Sequence, residues 1–84
     1  MHFIYVLRSL KDGRLYTGYT QNLLERLREH NEGEVTSTRH RRPLEIVYYE
    51  ASRNQRDALH REKYLKTSYG KRYIKERIKQ DLGP

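Results

Sequence analysis

Glu62 stands where an apolar residue is expected. The segment from Ser52 to about Thr67 reads as a helix whose inward face is Ala51, Ala58, Leu59 and Leu65. At about 100° per residue, Glu62 falls inside that arc. A carboxylate that faces inward needs a cation, either a basic side chain in a structural ion pair or a metal ion. Arg26 and His30 pose a similar choice. They lie four residues apart on one edge of a stripe made by Leu23, Leu24 and Leu27, so both side chains can point into a cleft at the sheet rim. The bland alternative is an arginine that snorkels past the core and a histidine that closes the helix end. Tyrosine supplies eight of the nine aromatic residues. Its apolar body and polar tip suit a half-wet cleft, although simple core packing accounts for most of the eight. Tyr5 and Tyr16 lie on strand candidates. Gly18 shares a face with Tyr16, where the missing side chain either marks a bulge or leaves room for a close approach. An arginine fork, a histidine, two phenols and an inward carboxylate are the parts needed to hold an anion and move a proton.

Other chemistries are excluded. The chain has no cysteine, which rules out disulfides and cysteine zinc sites. His2, His30, His40 and His60 lack metal-ligand spacing, and no glycine-rich phosphate loop opens a helix. No apolar run is long enough for a membrane span, and the start of the chain lacks a signal-peptide pattern, so the expectation is a cytoplasmic protein without a membrane partner. The formal net charge is +7, and +6 of it lies between Arg53 and Pro84. Such a balance in a small domain suits a polyanion, nucleic acid above all.

The elements that must position these residues follow from pattern. With 84 residues, one domain spanning 1–84 is expected. Residues 2–9 alternate with apolar side chains on both faces, which predicts a central strand covered on both sides. Asp12-Gly13 supplies the turn, and residues 14–20 return antiparallel. Thr20 or Asn22 caps a helix running to about Glu32. Residues 33–43 lack periodicity and read as a loop containing the run from Arg39 to Arg42. Residues 44–51 form a third strand. Ser52 with Gln55 resembles a capping box for the helix carrying Glu62. Gly70 breaks the chain before a last helix at about 71–82. The order β-β-α-β-α-α predicts an α+β domain, a small three-stranded antiparallel sheet flanked by helices.

The ordered set resembles the GIY-YIG nuclease superfamily. Phe3-Ile4-Tyr5 and Tyr16-Thr17-Gly18, about a dozen residues apart, look like its signature triplets. The stretch LLERLREHN looks like its first helix, with the arginine and histidine at Arg26 and His30. HREKYLK looks like the helix bearing its metal-binding glutamate, at Glu62, and RRPLEIVYYE is similar to the third strand of small stand-alone bacterial members, relatives of the nuclease domain in the excision-repair C subunit. The resemblance implies a metal-dependent DNA endonuclease of repair type, structure-guided or weakly specific on branched, duplex or single-stranded DNA. It places Tyr5 or Tyr16 as base toward water, Gly18 beside them, Arg26 on the phosphate, His30 orienting a tyrosine or assisting proton transfer, and Glu62 holding one Mg²⁺ or Mn²⁺. Larger members carry an asparagine beyond the glutamate. None occurs from Lys63 to Pro84, where Lys66 or Gln80 is the candidate replacement. The alternative is a non-catalytic nucleic-acid-binding module that keeps the fold. Arg39, Arg41, Arg42, Lys66, Lys71 and Arg72 are the expected nucleic-acid contacts.

Overall fold

The computed structural model describes residues 1–83. Strand β1 (His2–Ser9) is central, flanked by β2 (Leu15–Thr20) and β3 (Leu44–Ser52), both antiparallel to it, in the order β2-β1-β3. The helices are α1 (Leu23–Asn31), α2 (Gln55–Leu65), α3 (Ser68–Arg77) and the short α4 (Lys79–Leu82). This is the expected α+β arrangement.

The double-sided apolar pattern of β1 builds two half-cores. On one face Ile4 and Val6 pack with Ala58, Leu65, Ile74 and Ile78 of the C-terminal helices. On the other, Tyr5 and Leu7 pack with Leu44, Leu23 and Leu27, under α1. The β1–β3 register shifts between Val6 and Leu7, so Val47 is an extra residue and both Val47 and Tyr48 pack on the first face. The loop 10–14 turns at Gly13, whose φ of 74° is the left-handed conformation that glycine adopts without strain.

Several boundaries differ from the sequence expectation, each for a local reason. Asn22, not Thr20, caps α1, accepting from the Glu25 amide at 3.1 Å, while the Thr20 hydroxyl steadies the Asn22 amide. Leu24 is 77% exposed and faces away from the stripe. The α2 cap is Asn54, which accepts from the Asp57 amide; Ser52 is spent in the turn, its hydroxyl donating to the Asn54 carbonyl. Ala51 belongs to β3 and Leu59 is 41% exposed, so the inward face of α2 reduces to Ala58 and Leu65. Gly70 does not break the chain. It lies in the first turn of α3, capped by Thr67, where an added Cβ would meet the Tyr64 carbonyl oxygen and the Leu65 Cα of α2. Only glycine lets α3 fold back so closely on α2. The helix then stops at Ile78 and resumes as α4. Within the loop 33–43, Arg39–Arg41 form one 3₁₀ turn.

Candidate active site

The sheet places two aromatic rings next to α1. Tyr5 pairs with Gly18 and Leu7 pairs with Tyr16 across β1 and β2, so Tyr5, Tyr16 and Gly18 share the face under α1. Gly18 has a use that its sequence position does not reveal. An added Cβ there would overlap both Cζ and Oη of Tyr5. The space beside Tyr16 is therefore not open for a substrate, as the sequence suggested; it is filled by the Tyr5 ring lying across the glycine.

Helix periodicity brings Arg26 and His30 to the same phenol. His30 Nε2 lies 2.8 Å from Tyr5 Oη, and Arg26 Nε donates to that oxygen at 3.4 Å. His30 is fully buried rather than in an open cleft at the sheet rim, with Nδ1 2.7 Å from the hydroxyl of Thr38, itself fully buried. A neutral imidazole has one N–H and one lone pair, so one hydroxyl donates to the ring and the other accepts from it. Burial, seconded by the Arg26 charge, pushes the His30 pKa down to about 4. Burial also raises Tyr5, against the opposing hydrogen bond from Arg26. Both groups are thus held neutral at pH 7.

Arg26 is the charged member. Its Nη1 donates to Glu29 at 2.8 Å and its Nε is tied to Tyr5, which fixes the plane of the guanidinium. Among the described residues Nη2 has no partner. Tyr16 is half-exposed, its ring 5.2 Å from that of His30 and 6.4 Å from that of Tyr5, and its hydroxyl makes no hydrogen bond among the described residues. Glu62 approaches from α2. Its side chain is 19% exposed, and its ion pair is with Lys66 of the next turn, at 3.2 Å. Its charge adds to the upward pressure on the Tyr5 pKa. The sequence-predicted cluster of Tyr5, Tyr16, Arg26 and His30 is thus assembled, with Glu62 close enough to be felt electrostatically. Thr38 is the member that sequence reasoning missed, because it sits in an aperiodic loop.

Residues 1–79 match the family described as the GIY-YIG catalytic domain. The chain belongs to the GIY-YIG family. It is 45% identical over 67 residues to a UPF0213 protein of Clostridium perfringens, covering 79% of this chain and 71% of the relative. It is 41% identical over 85 residues to one of Bacillus licheniformis, covering 96% and 87%. The solution NMR structure of a UPF0213 protein from Bacillus halodurans superposes with a TM-score of 0.56 at 32% identity, covering 99% of this chain and 87% of that one. GIY-YIG catalytic domains form a nuclease superfamily.

GIY-YIG nucleases generally use a divalent metal. Among the described residues no three metal-ligating side chains gather. A lone carboxylate at Glu62 still fits Mg²⁺, which keeps most of its waters and takes one or two carboxylates plus substrate phosphate. Lys66 already holds that carboxylate as an exchangeable cation on a long, exposed stem.

The expected nucleic-acid contacts separate into three places. Arg41, Lys66 and Lys71 line one groove of about 660 Å³ along the outer edge of β2, together with Tyr16. Arg41 is pinned there by donation to the Leu15 carbonyl at 3.4 Å, with Asp12 3.7 Å from its buried Nε. Arg39 and Arg42 flank a separate depression by the 3₁₀ turn, where Arg42 donates to the Arg39 carbonyl. Arg72 lies over the Tyr69 ring, away from the groove. Arg61 serves the fold, with two hydrogen bonds of 2.9 Å to Glu50 and its guanidinium over the Tyr73 and Tyr64 rings. No described helix is long and apolar enough to cross a membrane.

Proposed function

We propose that this protein is a metal-dependent DNA endonuclease, a single GIY-YIG domain that hydrolyses one phosphodiester bond per event. The observation that carries the reading is the tethered guanidinium of Arg26, held at Nε by Tyr5 and at Nη1 by Glu29, with Nη2 free to receive a phosphate oxygen. A pre-oriented planar donor costs little reorganisation when the anion arrives.

The two tyrosines divide the work that the sequence left open between them. Tyr5 is not available as a base, because burial raises its pKa so that little phenolate forms, and its oxygen is shared by His30 and Arg26. It acts as a positioning residue, transmitting the rigidity of the His30–Thr38 pair to Arg26. Tyr16 has a half-exposed hydroxyl on the groove with no hydrogen-bond partner among the described residues; once its own proton has passed to solvent, the phenolate takes the proton of the attacking water. Glu62 would hold Mg²⁺ or Mn²⁺. When bound, such an ion neutralises the phosphate and the leaving oxygen. Lys66 turns from Glu62 toward the substrate phosphates.

One observation favours a second reading, a nucleic-acid-binding module without catalysis. The Lys66–Glu62 ion pair already satisfies the carboxylate. Incubation of labelled branched, duplex and single-stranded DNA with Mg²⁺ or Mn²⁺ decides between them. Cleavage that disappears in Arg26→Ala supports the nuclease. Salt-sensitive binding with no metal-dependent product from any substrate supports the module.

A further inference from the structure

The groove along β2 is more than a basic patch. β2 is an edge strand, with its outer side turned toward the junction of α2 and α3. The closeness of Gly70 to Leu65 sets that junction, and it places Lys71 and Lys75, four residues apart, on the same face of α3. Arg14 and Arg41 stand opposite them. Between these cationic walls lies the half-exposed Leu15, packed toward Leu65 and Ile74, while the half-exposed Tyr16 turns to the opposite face of the sheet at the groove's end. One end of the groove opens at Tyr16, beside His30 and Tyr5.

We infer that this groove receives a single-stranded segment of nucleic acid adjoining the scissile phosphate. The inference rests on the nucleic-acid reading above and deepens it by naming the substrate class. Three features favour a single strand over an intact duplex. A volume of about 660 Å³ is that of a pocket for small ligands, the scale of one or two nucleotides. The walls offer cations to a backbone while Leu15 within the groove offers apolar surface and Tyr16 at its end offers an aromatic ring, the combination that single-strand sites use to track phosphates and receive unstacked bases. A duplex keeps its base faces stacked inside and would leave that surface uncovered. The preferred substrates are therefore flaps, overhangs and other branched ends, in which a single strand leaves the duplex next to the cut.

The test is fluorescence anisotropy in EDTA, so that binding is read without cleavage, using a short oligothymidylate, a blunt duplex and the same duplex with an overhang. Lys71→Ala/Lys75→Ala should weaken oligothymidylate and overhang binding by about tenfold and reduce the salt slope for the oligothymidylate by about 1.4, while blunt-duplex affinity changes by less than about twofold. Arg53→Ala/Arg56→Ala removes the same charge outside the groove and should leave oligothymidylate binding within about twofold. Equal weakening of all three probes by the groove variant, or none, overturns the single-strand assignment while leaving the nuclease reading intact. Wild-type protein that binds none of the probes overturns the nucleic-acid reading itself.

Discussion

The buried histidine makes stability depend on pH in a calculable way. His30 is fully buried between Thr38 and Tyr5, and its pKa falls from 6.5 to about 4 on folding. Because the folded value is depressed, the unfolded chain takes up the proton first as pH falls. The associated stability is fully present above pH 6.5 and is lost as pH drops toward 4. Integrating the linkage relation gives a loss of about 1.4 kcal/mol by pH 5.5 and about 2.5 kcal/mol by pH 4.5. That is a large share of the total for a domain this small. The carboxylates with depressed pKa values, Glu50 beside Arg61 among them, add their losses only below about pH 4.5, so the two ranges separate. Urea unfolding followed by circular dichroism from about pH 7.5 to 4.5 measures the effect. His30→Gln keeps an amide donor and acceptor but does not titrate; it should start less stable and then follow a flatter curve. Parallel curves for wild type and His30→Gln across that window would refute a neutral, buried His30.

Other consequences follow from single contacts. Gly18→Val should destabilise by about 1–3 kcal/mol and lower cleavage together, because the Tyr5 ring must leave its place; denaturant midpoints read beside initial rates check this, and a stable but inactive variant would point to a direct role for the glycine. Gly70→Ala should cost about 3 kcal/mol or more, since the added methyl meets α2 backbone that cannot rotate away; a melting temperature near that of wild type contradicts the proposed α2–α3 packing. Thr38→Val should cost about 1–3 kcal/mol by leaving His30 Nδ1 unpartnered, whereas Thr38→Ser should recover most of it. An equal loss in the serine variant would show that the methyl group, not the hydroxyl, was the contribution.

Much of the fold is legible in the sequence where one physical cause dominates. The two-sided apolar pattern of residues 2–9 names the central strand, and Asp12-Gly13 names the turn, because alternation and positive φ are local properties. The convergence of Arg26 and His30 is legible from helical spacing, and the shared face of Tyr16 and Gly18 from strand spacing. What the sequence hides is set by contacts between distant segments. Gly70 looks like a helix breaker because its packing against Leu65 is visible only once α3 folds back. Gly18 looks like open space because its occupant, the Tyr5 ring, comes from the neighbouring strand. Thr38 carries no periodic signal, and only the fold brings it to His30. Glu62 shows both sides of the problem: its inward position is readable, but not that its ion-pair partner comes from its own helix at Lys66.

The central claim is that Arg26, held by Tyr5 and Glu29, and Glu62 serve one hydrolytic reaction. Its most direct test is single-turnover cleavage of an end-labelled overhang substrate in Mg²⁺, comparing wild type with Arg26→Ala and Glu62→Gln at saturating protein. Wild type should give one nicked product, and each variant should bind the DNA but cleave it at least about a hundredfold more slowly. Wild-type cleavage that persists undiminished in Glu62→Gln, or no cleavage by wild type on any overhang, flap or duplex, would contradict the account.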